Sequence, residues 1–149
     1  MRALLQRVSK GSVNIPAESY YEKIDKGMVL LLGISEDDTN KEVEYVAEKC
    51  SNLRIFEDEN EKMNLSIKDI NGEVLLISQF TLYGDTRKGN RPSFNKAAAP
   101  GKAEELYKSF AEKLKNILGD KKVKEGIFGA MMEVEIINDG PVTVMVESK

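Results

Sequence analysis

Apolar residues along this chain keep two different periods, and the way those periods follow one another leaves few architectures open. "MRALLQRVS" and "GMVLLLGIS" (27 to 35) are β-like runs, and "SVNIPAESYYEKI" between them alternates in part around a break at Pro16. The period then changes. Val43, Val46, Ala47, Cys50 and Leu53 recur at helical spacing, and Thr39 with Glu42 forms a capping box ahead of them. Residues 57 to 72 are polar with turn signals and read as a connecting segment. A strand over 73 to 82 follows, and then a long loop rich in Gly, Pro and Asn. A second helix is expected from near Gly101, with Ala103, Leu106, Tyr107, Phe110, Leu114 and Ile117 as its buried stripe and Gly119 as its stop. "MMEVEIINDGPVTVMVES" reads as two strands around an Asn138–Pro141 turn. Runs of strand interrupted by two helices, without strict βαβ alternation, predict an α+β fold with mostly antiparallel sheet.

Nothing in the chain suggests a linker, a repeat or a low-complexity tract, so residues 1–149 are expected to form a single domain that buries about two-thirds of its unfolded surface. With one cysteine, Cys50, neither a disulfide framework nor a thiolate metal cluster is available, and its place on a helical stripe marks it as a buried structural thiol. Apolar stretches near the N-terminus are too short for a secretory segment or membrane span, so no membrane partner and a cytoplasmic location are expected.

The chain contains no histidine. Ser-His and Cys-His dyads are therefore excluded, and with them the commonest general base and metal ligand. No close carboxylate grouping looks like a hard-metal site; "EDENE" (57 to 61) reads as a solvated acidic loop. Neither a metal nor an organic cofactor is expected. Any reaction here relies on positioning, on backbone donors, or on a group that the substrate brings.

Net charge is −3, yet half of the 22 Lys and Arg residues lie between 86 and 124, while the remainder of the chain is acidic. That segment, led by Arg87, Lys88 and Arg91, could follow a phosphate backbone, or it could be an ordinary solvated helix face with a lysine-rich turn. Three further features stand out. In "SQFTL" polar groups gather at the mouth of an apolar strand, and strand alternation would send Ser78 and Phe80 to one face and Gln79 and Thr81 to the other. Thr81 could attack a substrate, bind one, or be a satisfied edge hydroxyl. In "NDGPVT" the Gly140-Pro141 pair could be a plain turn, or a rigid carbonyl brought close to a ligand because glycine has no side chain. Arg7 lies in an apolar strand, where a cation is costly unless it is paired; it is either at the strand's surface end or pins a loop through backbone carbonyls.

Together "MRALLQRV", "LISQFTLYGD", "KGNRPSF" and "GIFGAMMEVEIINDGPVT" resemble the D-aminoacyl-tRNA deacylases, also called D-tyrosyl-tRNA deacylases, from Met1 to about Val146. SQFT and NDGPVT, about sixty residues apart in a 149-residue chain, are the most specific part of the likeness. The resemblance implies a homodimer of a small barrel-like α+β fold whose active site is completed across subunits. It implies hydrolysis of the ester between a D-amino acid and the terminal adenosine of tRNA, and of glycine mischarged on alanine tRNA. By motif, Ser78, Gln79, Phe80 and Thr81 would line the site of the terminal adenosine and the ester. Gly140 and Pro141 would form a cis Gly-Pro element whose carbonyls reject L-amino acids, held by Arg7, and Phe128 would lie near the adenine.

The resemblance also implies that the ribose 2′-hydroxyl assists hydrolysis, while an alternative makes the Thr81 hydroxyl the attacker. The sequence leaves both open. Rival readings are a non-catalytic RNA-binding module on the same fold, a hydrolase of small esters using Thr81 with a lysine base, and a purely structural dimer. Ser12, where alanine would be expected, is a small departure from the family pattern.

Overall fold

Strand β1 (Arg2–Ile15) is long enough to be paired along both edges, and the sheet is built around it. The computed structural model describes residues 1–148. After β1 come β2 (Tyr20–Ile24), β3 (Gly27–Gly33), α1 (Asn40–Asn52), the short β4 (Phe56–Glu57) and β5 (Met63–Leu65), then β6 (Glu73–Ser78), α2 (Pro100–Leu118), β7 (Val123–Glu125) and β8 (Glu133–Glu147). One edge of β1 is taken by β3 over Arg2–Val8 and then by β2 over Gly11–Ile15, both antiparallel. The other edge carries β8, antiparallel from Arg2↔Glu147 to Asn14↔Glu133. The far side of the six-stranded sheet is parallel, β3 with β6 and β6 with β7. The sheet curls until it nearly closes, and the Tyr20 hydroxyl on β2 donates to the Glu125 carbonyl on β7 at 2.7 Å.

Two apolar clusters follow from strand alternation. Met28, Leu30, Leu32, Val74 and Leu76 face α1 and α2, where Phe110 and Leu114 are fully buried. Their neighbours Val29, Leu75 and Ile77 face a second cluster with Val8, Val13 and Ile15. Burying a side chain such as Leu or Phe contributes about 1.5–3 kcal/mol, and the rows share it between the two faces. Both helices lie where the sequence places them, except that Ile117, expected on the buried stripe of α2, is only partly buried and Leu118 packs on the core in its stead. The Thr39–Glu42 capping box is closed on both sides, and Gly119 ends α2. Cys50 is buried, and its burial pushes the thiol up to about 12, away from the reactive thiolate. Neither helix is long and apolar enough to cross a membrane.

Three sequence expectations are corrected. The strand expected over 73–82 stops at Ser78, and Phe80–Tyr83 turns into a single 3₁₀ turn, so strand alternation does not govern where Phe80 and Thr81 point. The segment 57–72 is not only a connection: it holds β5, which pairs antiparallel with β4 (Phe56–Glu57) at its start. "NDGPVT" is not a hairpin between two strands. It is a bulge in one strand, because β8 pairs with β1 at Gln6↔Thr143 and again at Val8↔Asn138, leaving residues 139–142 opposite Arg7 alone. The turn-forming residues close this bulge on itself: Asn138 Oδ1 accepts from the Val142 amide at 3.2 Å, and its Nδ2 donates to Thr143 Oγ at 3.1 Å.

Candidate active site

Where β6 leaves the sheet, its last residues open into a cleft of about 730 Å³. Leu32 and Ile34 at the end of β3, with Ile77 and Ser78, form its floor. Gln79 and Phe80 rise on one side, with Phe94 from the long loop set edge-on to Phe80 at 5.0 Å between ring centroids. Ala97–Pro100 and Ala103 bring the front of α2 to a second side, and Phe128–Met132 form a third. Phe128 is packed from behind by Tyr107 at 5.9 Å. Tyr107 is itself buried, and its hydroxyl donates to the Leu76 carbonyl at 3.1 Å. The walls are therefore aromatic and apolar, suited to a flat ring system, while polar groups concentrate at Ser78 and Gln79.

The turn that follows Ser78 is the chemically richest element. The Gln79 amide N–H donates to the Leu32 carbonyl at 2.8 Å, fixing the point of departure from the sheet. The Gln79 side chain then reaches forward and donates from Nε2 to Thr81 Oγ. A 3₁₀ turn leaves its first amides without intrahelical acceptors. Among the described residues neither the Phe80 nor the Thr81 N–H meets an acceptor, while Leu82 N–H and Gly84 N–H donate back to Gln79 and Thr81. Phe80 is 56% exposed and Thr81 is exposed too, so the turn that carries these donors lies at the surface beside the cleft. The Thr81 hydroxyl's only hydrogen-bond partner among the described residues is the Gln79 amide, which is not a base.

Of the residues singled out from sequence, Ser78, Gln79, Phe80 and Phe128 share the cleft, and Thr81 sits on the adjoining turn. Gly140, Pro141 and Arg7 do not line it. They form their own cluster on the β1–β8 ribbon. Arg7 is only 5% exposed, so the surface reading of this residue is excluded. Its Nη1 donates to the Ile55 carbonyl at 2.8 Å and its Nε to the Asp139 carbonyl at 3.1 Å. The Gly140-Pro141 peptide is cis, and both residues are exposed. Gly140 has φ +124°, and a Cβ there would lie 2.9 Å from Arg7 Nη2, so the position admits no side chain.

Arg87, Lys88 and Arg91 are exposed on a loop whose neck is closed by the paired Asp85 and Ser93, one residue before Phe94 of the cleft. They are not equivalent. Arg87 grips Asp85 through Nε at 2.9 Å and Nη2 at 2.6 Å, and this hydrogen bonding holds the Asp85 carboxyl well below the usual carboxylate range. Lys88 and Arg91 are unpaired among the described residues. The sequence reading missed Phe94, Tyr107 and the two methionines of the third wall. Phe94 ends "KGNRPSF" as the first aromatic after a run of turn residues, but only the fold sets it against Phe80.

The family model described as D-Tyr-tRNA(Tyr) deacylase matches residues 4–147. The chain belongs to that family. A D-aminoacyl-tRNA deacylase of Caldicellulosiruptor saccharolyticus is 56% identical over all of this chain and 98% of its own length, and one of Thermosipho africanus is 51% identical with the same coverage. Among solved structures, one titled c-Myc DNA unwinding element binding protein superposes with a TM-score of 0.94 at 44% identity, covering 100% of this chain and 99% of its own. A probable eukaryotic D-amino acid tRNA deacylase shares the fold, with a TM-score of 0.85 at 18% identity and 97% of each chain covered. For the D-Tyr-tRNA(Tyr) deacylase family, the "barrel-like" expectation is met by a mixed sheet in which antiparallel pairs predominate.

Proposed function

We propose that this chain is a D-aminoacyl-tRNA deacylase: it hydrolyses the ester joining a D-amino acid to the terminal adenosine of tRNA, and removes glycine mischarged on alanine tRNA. Family membership over residues 4–147 supports the activity. The observation that carries the local assignment is the junction of an aromatic-walled cleft with a turn whose first two amides meet no acceptor among the described residues. The terminal adenine fits between Phe80 and the Phe128 wall, and Ser78 and Gln79 face the ribose and ester. The Phe80 and Thr81 amides donate to the oxygen on which charge develops as water adds to the ester carbonyl. Because the Thr81 hydroxyl is engaged by the Gln79 amide and has no base bonded to it among the described residues, it binds and does not attack. The neighbouring ribose 2′-hydroxyl then assists departure of the ester oxygen.

Gly140 and Pro141 act as the gate against L-amino acids, with Arg7 holding the bulge by its carbonyls. A rigid main-chain oxygen excludes a misdirected side chain more strongly than an added attractive contact would, about 1–3 kcal/mol per small group. Since this bulge is exposed and away from its own chain's cleft, it serves the cleft of a second subunit. The outer face of the sheet supports a homodimer: Met145, Leu4 and Leu31 lie in register across β8, β1 and β3, and Met145 is 42% exposed. Lys88 and Arg91, with Arg87 behind them, contact the tRNA backbone. The whole of residues 1–149 acts as one catalytic domain in the cytoplasm.

The test is deacylation of three substrates by the purified chain. D-tyrosyl-tRNA and glycyl-tRNA(Ala) are hydrolysed and L-tyrosyl-tRNA is spared. Equal rates on the two tyrosyl enantiomers would remove the gate. Binding of tRNA without turnover would make the chain an RNA-binding module on this fold.

A further inference from the structure

The turn Phe80–Tyr83 is exposed at Phe80 and Thr81, and among the described residues the element packed most against it is β3, so its shape is held from that side. Two features at its rear do this. Gly33, the last residue of β3, lets the turn settle against the strand end, since a Cβ there would come within 3.0 Å of Leu82 Cβ and 3.1 Å of the Gln79 carbonyl. The second is Arg2, the first residue of β1. Its Nη1 donates to the Leu82 carbonyl at 2.8 Å, and its guanidinium carbon stands 4.6 Å from the centre of the Tyr83 ring. Its Nε is also 3.4 Å from Glu147 at the end of β8.

We propose that Arg2 is a positioning residue for the Phe80–Tyr83 turn: it clamps the turn's last peptide so that the Phe80 and Thr81 amides at its first keep a fixed direction toward the substrate. The geometry explains why an arginine serves. One planar group must both donate to a carbonyl and lie over an aromatic face, which a compact ammonium cannot do at once. The Leu82 residue is thereby held at both ends, its N–H on the Gln79 carbonyl at 3.2 Å and its C=O on Arg2. A cation at the carbonyl end of a helical turn also complements the turn's dipole, whose positive end is at Phe80 and Thr81.

The kinetic half of this inference rests on the deacylase reading, so two readouts are used. On D-tyrosyl-tRNA, Arg2→Gln lowers kcat by about tenfold or more with KM within about twofold, as expected when reacting groups are misplaced and not when binding is lost. Arg2→Lys recovers part of that loss. Glu147→Gln, which frees Arg2 from β8 but leaves it on the turn, keeps the wild-type kcat. In amide hydrogen exchange, which needs no turnover, Arg2→Gln speeds exchange at Leu82 and Gly84 by about tenfold while the Asp58 amide in the β4–β5 loop is unchanged. Wild-type kcat in Arg2→Gln, or an equal loss in Glu147→Gln, overturns the positioning role. Unchanged exchange at Leu82 and Gly84 overturns the clamp itself. A wild-type chain that deacylates nothing defeats the deacylase reading instead, and the exchange result still decides whether Arg2 holds the turn.

Discussion

The buried guanidinium of Arg7 donates from Nε to the main-chain carbonyl of Asp139 at 3.1 Å, in the residue that leads into Gly140. Its other arm holds the Ile55 carbonyl at 2.8 Å, so one side chain ties the β8 bulge to the segment after α1. The nearby carboxylates of Asp139 and Glu57, at 3.4 and 3.8 Å, are half exposed and add little. Lysine keeps the charge but cannot reach both carbonyls in one plane. Arg7→Lys is expected to cost about 1–3 kcal/mol of stability, the penalty of leaving a buried acceptor unmet, read by urea unfolding. It is also expected to reduce the ratio of D- to L-tyrosyl-tRNA hydrolysis at least tenfold (~1.4 kcal/mol). An unchanged ratio in a folded variant means that Arg7 does not hold the gate.

Both helices were legible because local signals set them: the Thr39–Glu42 box and Gly119 act within a few residues of the elements they bound. The site was legible only as a set of positions. An apolar run cannot say where a strand leaves its sheet, and at Ser78 that is decided by Leu32, Gly33 and Arg2, all distant in sequence. Asn138–Pro141 looks like a hairpin turn to any local rule. It is a bulge because β1 is long enough to pair with β8 on both sides of it. Arg7 likewise could not be placed without Ile55, which faces it from another element.

Thr81 decides between two chemistries. Its hydroxyl accepts from Gln79 and has no base beside it among the described residues. Thr81→Ala should therefore keep D-tyrosyl-tRNA hydrolysis within about tenfold of wild type under single turnover, the scale expected when a group that only binds is removed. Loss of an attacking group would cost about 10⁴-fold or more. A drop of that size would make the hydroxyl the nucleophile and displace the ribose 2′-hydroxyl from the mechanism.

Alkaline pH should weaken the fold in two stages. Burial raises the Cys50 thiol from 9.0 to about 12, so above pH 9 the unfolded chain releases a proton that the folded chain keeps. Stability then falls with rising pH by up to about 1.4 kcal/mol per unit until the folded thiol also ionises. Above pH 10 two tyrosines join in the same direction, the half-buried Tyr83 being raised to about 12 chiefly by desolvation and the buried Tyr107 further still. Thermal unfolding of Cys50→Ala should begin from a lower stability but show a flatter dependence between pH 9 and 10. The same slope in both proteins would mean that the thiol is not shielded as its burial indicates.

The loop between Asp85 and Ser93 offers three cations, but only two are free to meet phosphate. Arg87 is already held by Asp85 at 2.6 and 2.9 Å, and drawing it onto a phosphate would strand that carboxylate. Lys88 and Arg91 carry no such partner among the described residues, and the paired neck keeps both near Phe94 and the cleft. Removing one cation from a phosphate should lower the slope of log affinity against log salt by about 0.7–0.9. Lys88→Gln and Arg91→Gln should thus each weaken tRNA binding and flatten its salt dependence, while kcat at saturating tRNA stays near wild type. Arg87→Gln should act less on the salt slope, because Arg87 is held by Asp85 and neutralises no phosphate, although the carboxylate it leaves bare will weaken tRNA binding. Titrations of D-tyrosyl-tRNA half-saturation across a salt series separate the three. If Arg87→Gln flattens the slope most, or if none of the three changes it, the tRNA backbone runs over another face of the molecule.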